Sequence, residues 1–96
     1  MKKSEIMNLL KSETGTLRIN PICTLRRWTY VDGHGSIDKL AVDFSAVCEM
    51  GRFMGSVEIK SRDYDGIISE VAAAIRDRMA EVTEYLCKAL RNGYTI

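Results

Sequence analysis

The chain is poor in the features that usually announce a function. Its one histidine, His34, lies between two glycines with no nucleophile beside it in sequence, so no acid–base or nucleophilic constellation is legible. Asp63 and Asp65 resemble a fragment of a metal loop but lack the later ligands that calcium requires. Gly51, Gly55 and Gly66 are too scattered to form a phosphate-binding fingerprint. These absences point to a non-enzymatic protein with no metal and no cofactor. Lys and Arg number 14 against 13 Asp and Glu, a net charge of +1, so no long-range field recruits nucleic acid. No apolar run approaches the length of a bilayer span, and Met1-Lys2-Lys3 leads into an amphipathic segment without an apolar signal core. The expectation is a soluble, cytoplasmic protein. Cysteine is sparse and odd in number, with Cys23, Cys48 and Cys87 far apart. That pattern reads as reduced, mostly buried thiols rather than a disulfide framework.

What remains is an ordinary globular composition, 46% hydrophobic and 28% charged over 96 residues, enough for one domain with its own core. Counting by twos from Leu40 gives Leu40, Val42, Phe44, Ala46, Cys48 and Met50, with Lys39, Asp43, Ser45 and Glu49 interleaved. This is a strand with one dry face. The period resumes in Phe53, Val57 and Ile59. A two-residue loop at Gly51-Arg52 would set Met50 against Phe53, Ala46 against Val57 and Phe44 against Ile59.

Upstream, Ser4 is the expected cap of a short helix over about 5–13, closed by Thr14-Gly15. Residues 16–31 are rich in β-formers, with Pro21 confined to a strand start, a bulge or an edge. Cys23, Leu25 and Val31 share one parity there, and Trp28 and Tyr30 the other. Either strand face could therefore be covered, or the Trp28 face is a binding surface. Asp32 to Ser36 reads as a turn. Downstream, Asp63 or Asp65 caps a long helix over about 65–91. Its stripe is Ile68, Val71, Ala72, Ile75, Met79, Val82, Leu86 and Leu90, and Asn92-Gly93 ends it, leaving Tyr94, Thr95 and Ile96 as a tail. Together these segments predict an α+β fold: a three-stranded antiparallel meander with strands near 16–31, 39–50 and 53–60, and both helices on one face. A helix of that length extends about 40 Å against about 33 Å for a ten-residue strand, so part of its stripe should overhang the sheet.

Arg26-Arg27-Trp28-Thr29-Tyr30 mixes cations with aromatics, as nucleic-acid surfaces do, although on a strand Arg26 shares a face with Trp28 and Tyr30 while Arg27 points away. From His34 through Ala74 the chain resembles the double-stranded RNA-binding domain in outline. The resemblance rests on a histidine in the loop between strands, Phe44 with Val47, Gly51 and Gly55, and Ala72-Ala73-Ala74 in the last helix. It implies RNA contacts at the first helix and at His34, and phosphate contacts near the start of the last helix, where Lys60 and Arg62 stand; Arg26 and Arg27 of the strand are the other candidate cations. Where that family carries a lysine cluster, however, this chain has Lys60 and Arg62 followed by Asp63 and Asp65, and acids there repel phosphate.

Protein binding is the leading expectation. The contact surface would be the strand bearing Arg26, Trp28 and Tyr30, or the distal helix around Met79, Val82 and Leu86. An isologous dimer would cover that helix, unless Ile6, Leu9 and Leu10 fold back onto it. Small size without catalytic groups suits a stoichiometric inhibitor, such as a phage or mobile-element protein of anti-CRISPR type acting on a host defence complex.

Overall fold

The computed structural model describes residues 2–93, with only the backbone of Cys48, so the expected tail and the inward thiol of Cys48 lie outside the described residues. Helix α1 (Lys3–Lys11) is followed by strands β1 (Gly15–Arg18), β2 (Cys23–Asp32), β3 (Gly35–Cys48) and β4 (Gly51–Glu58), then helix α2 (Tyr64–Arg91). The sheet is antiparallel with strand order β1-β2-β3-β4. The α+β class and the two flanking helices agree with the sequence reading. The sheet has four strands rather than three.

The extra strand comes from the Asn20-Pro21 corner. Asn20 Oδ1 accepts the backbone N–H of Ile22 at 2.8 Å and of Cys23 at 2.9 Å, so an asparagine side chain reverses the chain here. The segment expected as one long strand is thus a hairpin, with Leu17 opposite Leu25. At its base a Cβ on Gly15 would come within 2.9 Å of Leu9 Cδ1, so glycine there lets α1 lie close on the strand.

Three further boundaries differ from expectation. Helix α1 is capped by Lys2 rather than Ser4, because the Glu5 carboxylate reaches back to the Lys2 N–H at 3.2 Å. Strand β3 begins at Gly35, since the turn between β2 and β3 holds only Gly33 and His34 and Asp32 pairs with Gly35. The β3–β4 loop is Glu49-Met50, and Gly51, at φ 142°, opens β4. Phe44 therefore lies opposite Gly55, not Ile59, and Ala46 lies opposite Phe53. The displacement is even, so Val42, Phe44, Ala46, Phe53 and Val57 stay on the face assigned from the alternation.

That inner face forms the core. Cys23, Leu25, Leu40, Val42 and Phe44 pack beneath Ile6 and Leu9 of α1 and Ile67, Val71 and Ala74 of α2. Each large buried side chain contributes about 1.5–3 kcal/mol. Asp63 caps α2, accepting the Gly66 N–H at 3.0 Å. The far end closes with Gly93 at φ 79°.

Most of the expected overhang of α2 is absent, with Leu90 in its last turn left exposed. Val82 has no exposed surface and Met79 packs against the core, while Tyr85 meets the Phe53 ring at 5.9 Å. The reason is the length of β3. Its 14 residues span about 46 Å, longer than the roughly 42 Å of α2. Met79 and Val82 of the distal stripe therefore lie on the chain's own sheet, whereas Leu90 at its end is 61% exposed.

Candidate interaction face

Both helices pack on the inner side, and among the described residues no element covers the other. The register places Arg26, Trp28 and Tyr30 of β2 beside Ile37, Lys39, Ala41 and Asp43 of β3, with Met54, Ser56 and Glu58 of β4 beyond. The choice left open for β2 is thereby decided. Cys23 and Leu25 face the core, and the Trp28 parity faces outward.

A linked set of side chains crosses this open face. The Arg26 guanidinium stacks on the Trp28 ring, 3.9 Å from its centroid, and donates through Nε to Asp43 Oδ2. Ser56 Oγ donates to Asp43 Oδ1 at 2.8 Å. The bond to Asp43 pushes the Arg26 pKa up. Next to this set, Lys39 donates to Glu58 at 3.1 Å, which raises the lysine and lowers the carboxyl. Ala41 is 2% exposed although no helix lies over it, covered from both sides by the strands bearing Arg26 and Glu58. Apolar surface is left around this polar bridge: Tyr30 is 43% exposed, Val47 59% and Met54 67%. An open depression runs between Arg26, Asp43, Ser45 and Met54.

Neither Val47 nor Met54 is among the contact residues expected from the sequence, where Val47 enters only through the family resemblance. The available signal was apolar residues on the polar parity of their strands, the same phase as Ala41.

The cations proposed for RNA are not gathered on one surface. Arg26 belongs to the open face, whereas Arg27 lies on the opposite side, at the rim beyond α1. Arg27 Nε donates to the Ser12 carbonyl at 2.7 Å and Nη1 to Asp38 at 3.2 Å. Arg62 meets the same carboxylate at 2.8 Å and also donates to the carbonyls of Ile59 and Ser61. The Arg62 hydrogen bond, then the charges of Arg62 and Arg27, hold the Asp38 carboxyl below its usual range. His34 is exposed at the β2–β3 turn, where its N–H donates to Asp32 Oδ1 at 2.7 Å. Lys60 is exposed in the β4–α2 connection.

Cys23 is buried and desolvation pushes its thiol up, whereas Cys87 is exposed on α2. Among the described residues no helix is long and apolar enough to cross a membrane.

No family model, curated protein or solved structure matches this chain. The likeness to the double-stranded RNA-binding domain is one of general topology, a sheet bracketed in sequence by two helices, with one strand more.

Proposed function

We propose that this protein is a non-enzymatic interaction module that binds a protein partner through the open face of its sheet. The observation that supports the reading is the one-sided packing of the helices, which leaves Tyr30, Val47 and Met54 exposed around the Arg26–Trp28 stack. Aromatic residues, methionine and arginine are the types enriched where proteins meet. The Arg26 guanidinium is already oriented by Asp43, so little side-chain freedom remains to be lost on docking. Lys39 and Glu58 supply a polar rim of both signs. On this reading the chain acts by occupying a surface on its partner. A cytoplasmic inhibitor of a host defence complex, of the anti-CRISPR kind and encoded by a phage or mobile element, is the specific form we favour.

The test is affinity capture from the native host with wild-type protein and with a Trp28→Ala/Met54→Ala variant. A partner retained by the first and lost by the second supports the reading. Equal capture by both refutes it. Duplex RNA added at low salt serves as the control, and a salt-sensitive complex weakened by Arg26→Ala or Lys60→Ala would transfer the function to nucleic acid.

A further inference from the structure

Strand β4 forms an edge of the sheet. The Ile59 N–H donates to the Leu40 carbonyl at 2.7 Å, and the β3–β4 register continues unbroken from that pair to Cys48 and Gly51. In an antiparallel ladder the bonding direction alternates. The odd residues of β4 therefore bond to β3, while the N–H and C=O of Arg52, Met54, Ser56 and Glu58 point away from the sheet. Among the described residues no strand pairs with that side. Edges are usually blunted by proline, lysine or a bulge, and β4 has none of these. Its only charged residues are Arg52 near one end and Glu58 at the other, opposite in sign and equally distant from Gly55.

We propose that β4 pairs antiparallel with β4 of a second copy of this chain, with Gly55 on the two-fold axis. The occupant follows from the antisymmetry of the edge. In this register Arg52 of each copy faces Glu58 of the other, and Met54 faces Ser56, on the open side. On the helix side Phe53 faces Val57, both half-buried in the single chain. Phe53 meets Val57 and opposite charges meet on both halves at once. The neighbouring registers that keep the hydrogen bonds lose this match. With Met54 on the axis Arg52 faces Ser56, and with Ser56 on the axis Arg52 faces Lys60, a like-charge pair. Glu58 already accepts from Lys39, and a carboxylate has acceptor capacity for a second donor. The product is one eight-stranded sheet, twice the four strands of a single copy, whose two open faces become a single surface. The pairing uses the rim of the sheet, so it stands or falls separately from the partner reading above.

Sedimentation across a dilution series tests it with three variants. Met54→Pro removes an N–H that β3 does not use, and with it two symmetric intermolecular hydrogen bonds, so the dimer should dissociate about 30-fold more readily. Should that proline disturb the strand, Arg52→Glu is the second probe. It should weaken the dimer, and Arg52→Glu/Glu58→Arg should restore it. Gly55→Cys should give a covalent dimer on mild oxidation that the wild type, with its own thiols, does not give. Opposed residues of this kind lie about 4.5 Å apart at Cα, within disulfide reach, and a Cβ at Gly55 meets its nearest atom at 3.8 Å. A wild type that stays monomeric at every concentration overturns the proposal. So does a dimer indifferent to Met54→Pro, or a charge swap as weak as Arg52→Glu alone.

Discussion

One carboxylate ties the connection from β4 to the body of α2, and replacing it gives a test with a built-in control. Glu70 accepts the Lys60 N–H at 2.9 Å and the Ser61 N–H at 2.7 Å. These bonds, Lys60 first, hold its carboxyl below the ordinary value of 4.5. Glu70→Gln keeps the shape and one acceptor but loses the charge. Hydrogen bonds to charged groups are worth about 1.5–3 kcal/mol, and because Glu70 is only partly buried we discount the loss to about 1 kcal/mol. For a domain of this size that lowers the melting temperature by about 4–8 °C. A carboxyl with a lowered folded pKa stabilises fully above its unfolded value, and the effect disappears as pH falls through the folded value. The gap between wild type and variant should therefore be full near neutral pH, narrow below 4.5 and close at still lower pH, where the protonated glutamic acid resembles glutamine. Thermal melts followed by circular dichroism, run in parallel at several pH values, measure it. A gap that is absent at neutral pH, or that persists unchanged in acid, would refute the reasoning.

Other expectations concern the core and its rim. Val82→Ala should cost about 1.5–3 kcal/mol in a urea titration, since its side chain has no exposed surface. Leu86→Glu should leave the sedimentation coefficient unchanged, because the distal helix lies on its own sheet; a shift in mass would show that it is an interface. Trp28→Ala should lower stability by at least the roughly 0.5–1 kcal/mol of the lost guanidinium contact, with the fold intact by circular dichroism. Asp38→Asn removes the carboxylate shared by Arg27 and Arg62; being exposed, it should cost no more than about 1 kcal/mol, an effect that shrinks on acidification because the Asp38 pKa is lowered.

Much of the fold was legible in residue order because two periods are clean. Leu40, Val42, Phe44 and Ala46 alternate without a break, and the spacing of Val71, Ile75, Met79 and Val82 belongs to a helix. Both elements stand in the structure with those faces inward. The first hairpin was hidden because Leu17 and Leu25 keep one parity through a corner made by a side chain, and only Asn20-Pro21 marks the reversal. The β3–β4 register was misread because alternation is blind to even displacements. A glycine able to hold φ 142° fits as well after the loop as within it. The open face was half visible. Trp28 and Tyr30 stood out as aromatics, whereas Val47 and Met54 matter only once β3 and β4 are known to flank the Arg26–Asp43 pair.

The molecule measures 17 Å along its shortest axis, one sheet with one layer of helix. In such a slab Asp43 on the open side and Phe44 in the core are consecutive residues of one strand, so whatever docks outside rests directly on the backbone that holds the interior. Occupancy should therefore register as heat resistance. A ligand at a hundred times its dissociation constant adds about 2.7 kcal/mol. Candidate partners can accordingly be ranked by the melting temperature of the unlabelled protein, before any of them is crystallised with it.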